Sequence, residues 1–286
     1  MQTLEKAPSA FLHLKTRLAE INDLHSAAAV LHWDEATYMP PKGAPARGRQ
    51  LATLRQIAHQ KFTDGTIAQL LEDLHSYEAD LPYDSDAASL LRVARRSCER
   101  ASKIPSDFTA RFSQLRSETY QAWAQARPDN NFARVQPYLE RMVECSRELA
   151  NFFPGYEHIA DPLIEQSDYG MTATTIRAVF AELRDQLVPL VQAITAQPPI
   201  DDACLRQFFP EVEQIAFTHA VLKQLGYDLQ RGRQDKTLHP FMTNFSIDDV
   251  RITTRFYDRD LGQGLFSTIH EMGHAFYEMG VAPELE

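Results

Sequence analysis

The sequence is short of cysteine, glycine and positive charge. Three cysteines (Cys98, Cys145, Cys204) stand far apart in 286 residues, with no CxxC pair and an odd count. That excludes a disulfide framework and points to a reducing, cytoplasmic setting. Eleven glycines and 16 prolines are too few for a glycine-rich or turn-dense all-β chain. No apolar run approaches the roughly 18 residues of a membrane span. The opening MQTLEKAPSAFLHLKTRLAE lacks the apolar segment of a secretory signal. Lys and Arg number 29 against 39 Asp and Glu, so the net charge is -10. Nucleic acid and anionic membranes are therefore not expected partners, because both need clustered cations.

What is present is enough to fold. The chain is 44% hydrophobic and 24% charged, which allows a sizeable core and argues against disorder. Most of it has helical rhythm. Phe11, Leu14, Leu18, Ile21, Leu24 and Ala28 recur at three- and four-residue spacing over residues 10–31. The proline-rich stretch Tyr38 to Pro45 interrupts that rhythm. Further helices are expected over about 47–60, 66–77, 84–103, 105–126, 132–152, 172–194 and 202–225. Their punctuation is Pro105 in a first turn, a turn at 128–131, N-caps from Thr172 to Thr175, Pro198-Pro199 and Gly226. Cys98, Cys145 and Cys204 suit buried apolar positions. Trp33 and Asp34 read as a helix end packed under the proline-rich turn.

After residue 231 the pattern changes. Residues 232–246 read as irregular. Asp249 to Tyr257 alternates with period two: Val250, Ile252, Thr254 and Phe256 share one face, and Asp249, Arg251, Thr253, Arg255 and Tyr257 the other. That is the signature of a half-buried strand. Gly262 and Gly264 are expected to loosen the chain before a last helix, Leu265 to Met279. No linker divides the sequence, so one mainly α domain over 1–286 is expected. It comprises a helical region over 1–231 and a segment 232–286 holding the strand and the last helix.

That last helix carries His270-Glu271-Met272-Gly273-His274, an HExxH motif. Residues four apart on a helix share a face, about 6 Å apart along the axis. Two imidazoles so placed can turn onto one Zn²⁺. Glu271 lies about 100° around the helix from His270, placed to take a proton from a metal-activated water. The motif implies hydrolysis of an amide bond. A bare match has a plain alternative, since Thr268 and Glu271 also have the spacing of a capping box at a helix start. A catalytic zinc also needs a third protein ligand. Glu278 is eight residues past His270, about 12 Å along the axis, too far to share one ion with the histidines.

Several separated blocks resemble a known family, the M32 metallocarboxypeptidases. Trp33-Asp34-Glu35-Ala36-Thr37-Tyr38-Met39-Pro40, followed by Arg49-Gln50-Leu51-Ala52, is similar to its N-terminal segment. His239-Pro240-Phe241 is similar to its HPF motif, Asp249-x-Arg251-x-Thr253 to its DxRxT motif, and His270 to His274 to its metal motif. The resemblance implies a mostly helical, gluzincin-like fold with a deep groove and a small sheet. It implies a metal-dependent carboxypeptidase hydrolysing the C-terminal peptide bond of peptides. His270 and His274 would be the metal ligands, Glu271 the general base, and Zn²⁺ the metal, with Co²⁺ as a substitute. The family's third ligand is a glutamate in a His-Glu-Ser block on a following helix, and this sequence has no such block. The chain thus resembles the N-terminal part of a longer enzyme. An inactive remnant that binds peptide or dimerises, or another HExxH oligopeptidase, stands as the alternative. His239 and Arg251, with Arg255, are candidates for substrate binding, Arg because it grips a carboxylate bidentately. Pairing of Asp249 with Arg251 is the structural alternative. The expected partners are a peptide and, through Phe266, Phe276, Tyr277 or Met279 left exposed on the last helix, a second copy of the chain.

Overall fold

The computed structural model describes residues 8–285. Met1 to Ala7, where the missing secretory signal was judged, lie outside the described residues. The chain forms two compact units, Met1–Met142 and Val143–Glu286. The division falls inside a helix, so no linker composition marks it.

The first unit is helical: α1 (Ser9–Thr37), α2 (Ala44–Phe62), α3 (Thr66–Asp73), α4 (His75–Asp80), α5 (Asp86–Ala101), α6 (Ser106–Ala126) and the start of α7 (Phe132–Asn151). The spacing in α1 has the expected result. Phe11, Leu14 and Ile21 enter a core with Ile67, Leu71, Leu74 and Leu91, and Leu18 and Leu24 pack against it. The helix runs six residues past the expected end, because no breaker precedes Pro40. Tyr38 and Met39 both donate their N–H to the Asp34 carbonyl. Ser85 caps α5, its side chain accepting from Ala88 N. In α7, Val135 and Leu149 are buried as the pattern suggests, whereas Phe132 and Leu139 are exposed.

The second unit contains α8 (Asp161–Ser167), α9 (Ala173–Thr195), α10 (Glu211–Leu225), a three-stranded sheet and α11 (Leu261–Met279). Thr172 caps α9 as expected, accepting from Thr175 N at 3.2 Å. Val179, Phe180, Leu183, Leu187 and Ile194 of α9 are exposed. The helix expected from residue 202 starts at Glu211. Pro210 lacks an N–H and disfavours helix before it, and Glu211 and Glu213 then complement the helix N-terminus. Cys204 precedes it and is exposed, not buried as expected, while Cys98 and Cys145 are buried.

Residues 232–246, expected to be irregular, hold two short strands. β1 (Gln234–Lys236) pairs in parallel with β3 (Asp249–Thr254), and β2 (Met242–Ser246) pairs antiparallel with β3, giving the order β1-β3-β2. β1 escapes a periodicity search because it is three residues long and polar. Val250 and Ile252 of β3 pack with Leu222, Tyr227, Met272 and Ala275, so the apolar face read from the alternation lies on α11. Gly232 allows the chain to pass closely, since a Cβ there would lie 2.2 Å from the Tyr227 hydroxyl. Among the described residues, no helix is long and apolar enough to cross a membrane.

Candidate active site

The HExxH residues lie in the second half of α11, so the geometry of that helix decides what they can do. α11 begins at Leu261, four residues before the expected start, and the carboxylate of its N-cap Asp260 accepts from Gln263 N. Gly262 and Gly264 are inside the helix. Glycine at 264 serves close packing: a Cβ would lie 2.7 Å from the Phe256 ring. The capping-box reading of Thr268 and Glu271 is therefore overturned, because Thr268 sits two turns into the helix.

Thr268 does something else. Its hydroxyl donates to Gly264 O at 2.8 Å and lies 3.0 Å from the Thr254 hydroxyl. Gln234 Nε2 donates to both hydroxyls, at 2.7 Å and 2.9 Å, and Gln234 Oε1 is 3.1 Å from the Thr218 hydroxyl. Thr218, Thr254 and Thr268 are fully buried. This polar chain ties α10, β1, β3 and α11 together two residues before His270. The sequence gives little sign of it beyond a threonine on the apolar face of β3. Gln214 acts nearby, donating to Phe209 O and Tyr257 O. At the other end of α11, Arg231 donates to Met279 O at 3.0 Å, placing a cation where the helix dipole favours one.

His270 and His274 are on the exposed face of α11, and their rings converge. Their Nε2 atoms are 3.2 Å apart and the ring planes cross at 82°. Two nitrogens bound to one tetrahedral zinc at about 2.0–2.1 Å would be about 3.3–3.4 Å apart. The two nitrogens are within hydrogen-bond distance of each other, a spacing close to that of two ligands of one ion. Glu271 is 7% exposed, yet its carboxylate has no hydrogen bond or ion pair among the described residues. Its oxygens are not among the described buried side-chain atoms left without a partner, so they remain open to solvent. The fit is incomplete in one respect: among the described residues no group of three His, Cys, Asp or Glu side chains is arranged to hold a metal ion. Glu278 accepts from Asn244 Nδ2 at 2.8 Å, in agreement with its exclusion by distance.

The other candidates are not gathered at the histidines. Arg251 is bidentate to Asp249, at 2.7 Å twice, and lies over the Phe245 ring. Strand alternation puts it on the face of β3 opposite Val250 and Ile252, and so away from α11. Arg255 lies over the Tyr257 ring. His239 is exposed in the β1–β2 loop, which is pinned where Phe241 and Thr253 exchange hydrogen bonds of 2.8–2.9 Å. Trp33 is buried against Tyr38, and Asp34 pairs with Arg47 at 2.7 Å, a structural arrangement. On α11, Phe266 and Tyr277 are 62% and 78% exposed and Phe276 is exposed as well, while Met279 packs against the core instead.

Similarity to known proteins extends over nearly the whole chain. The model of the carboxypeptidase Taq (M32) metallopeptidase family matches residues 13–286. Thermostable carboxypeptidase 1 of Thermus thermophilus is 35% identical over 96% of this chain and 56% of its own length. The M32 carboxypeptidase structure from Deinococcus radiodurans is 40% identical with a TM-score of 0.79, over 97% of this chain and 55% of that one. Metallocarboxypeptidase 1 of Trypanosoma cruzi is 28% identical with a TM-score of 0.78, over 96% and 55%. The chain therefore spans little more than half the length of these relatives. Over nearly all of its own length, it belongs to the M32 metallopeptidase family.

Proposed function

We propose that this chain carries the His270, Glu271 and His274 part of a metallocarboxypeptidase active site, for a reaction that removes the C-terminal residue of a peptide. The observation behind this is the 3.2 Å approach of the two Nε2 atoms beside Glu271, whose carboxylate has no hydrogen bond or ion pair among the described residues, in a chain of the M32 family. His270 Nε2 and His274 Nε2 would hold the metal, and imidazole suits zinc, with cobalt a workable substitute. When bound, the metal supplies Lewis acidity, polarising a peptide carbonyl and making water more acidic. Glu271 takes the proton from the attacking water at its carboxylate and hands it to the departing amine nitrogen. His239 is retained as a groove residue. Arg251 has a lesser claim, because Asp249 already takes its guanidinium in a bidentate pair. A cytoplasmic setting fits three cysteines that form no disulfide.

The test is release of the terminal residue from a zinc-loaded reaction on a free-acid peptide and on its C-terminal amide. The free acid alone should be cut, and Glu271→Gln should abolish turnover. Cleavage of the amide would make the protein another kind of HExxH peptidase. A second reading has its own support. With no third donor among the described residues, the 286-residue chain by itself would hold metal weakly and turn nothing over.

A further inference from the structure

The first unit has a cavity of about 630 Å³, built from α1, α2, α6 and the start of α7. That is within the usual range for small-molecule sites, about 300–1,000 Å³. One wall is aromatic, with Tyr120, Trp123 and Phe132. Arg55 and Arg116 also line it, and neither has a carboxylate within ion-pair reach among the described residues. In a chain of net charge -10, two such guanidinium groups side by side are conspicuous.

We propose that this cavity binds a small apolar carboxylate, its anionic head between Arg55 and Arg116 and its body against Tyr120, Trp123 and Phe132. Arg55 is half-buried and gives one N–H to Ser113 Oγ at 2.7 Å, leaving other donors for a ligand. Burial, and after it the neighbouring Arg116 charge, holds Arg55 below the usual guanidinium value. An anion between the two would relieve both effects. Glu35 does not fill that role. Its side chain is 1% exposed and already held by Ser117, Gln121 and His32. Its negative charge offsets part of the positive charge around Arg55, however, which favours a monoanion over a dianion. Arg127, over the Trp123 ring at 5.1 Å, extends the positive rim.

The experiment is calorimetric titration of the full chain with 4-phenylbutyrate, indole-3-acetate and hexanoate, and with 4-phenylbutanol as the uncharged match. At least one carboxylate should bind saturably at one site. Phenylbutanol and the Arg116→Gln variant should each weaken binding about tenfold or more, the usual worth of charge-assisted hydrogen bonds. Arg116 is exposed and makes no ion pair among the described residues, so this variant should fold, and circular dichroism checks that it does. His270→Ala should leave the affinity unchanged, which separates this site from the metal chemistry. Failure of all three carboxylates to bind at millimolar concentration would overturn the proposal. So would equal affinity for phenylbutanol, or an affinity that Arg116→Gln does not move.

Discussion

Replacing Thr268 by valine tests whether the buried polar chain holds the HExxH helix in place. The change keeps the shape and removes one hydroxyl that is fully buried. Gly264 O keeps its helical partner, and Gln234 Nε2 keeps Thr254 at 2.9 Å. The Thr254 hydroxyl loses its partner 3.0 Å away. One buried donor left unmade costs about 1–3 kcal/mol, and the loss of the bond from Gln234 adds about 1 kcal/mol. The expected local destabilisation of α11 is about 2–4 kcal/mol. A single global unfolding free energy is not well defined for a chain of two compact units. Amide hydrogen exchange over residues 261–279 reads the effect directly and should accelerate about 30- to 900-fold. Thr268→Ser keeps the hydroxyl and should keep most of the protection. Exchange in Thr268→Val within threefold of the parent would refute the reasoning.

Two glycines of α11 should respond in opposite directions. Gly264→Ala drives a methyl to 2.7 Å from Phe256 and should destabilise the second unit by about 1–3 kcal/mol. Gly273→Ala meets nothing within 4 Å and should stabilise the helix by up to about 1 kcal/mol, both read by thermal unfolding. For Glu35, burial pushes the carboxyl up, but hydrogen bonds from His32, Ser117 and Gln121 outweigh it and hold the pKa below 4.5. A carboxyl lowered by folding stabilises above its unfolded pKa, and that contribution fades as the pH falls through the folded value. The first unit should therefore lose stability below about pH 4.5, and Glu35→Gln should flatten that part of the acid profile, as urea titrations at stepped pH will show.

The regularities of the sequence that repeat were legible, and those that occur once were not. Phe11, Leu14 and Ile21 announce the buried face of α1, and Val250 and Ile252 that of β3, because each recurs at the period of its element. The HExxH spacing likewise foretells two imidazoles on one face. Three polar residues of β1 have no period to read, and their pairing is set by β3 from 18 residues away. The start of α11 is not legible because Gly262 and Gly264 look like loop residues, and only the Phe256 ring packed against Gly264 shows otherwise. The Thr218–Gln234–Thr254–Thr268 chain is a property of four elements meeting, and no single window of sequence contains it.

The most direct test of the account is zinc titration followed by the imidazole NMR signals of the ten histidines. His270 and His274 should shift together, with a common apparent affinity, and His274→Ala should abolish the response of His270. If those two signals stay still while zinc is added, or move independently, the pair is not a metal site and the peptidase reading fails with it.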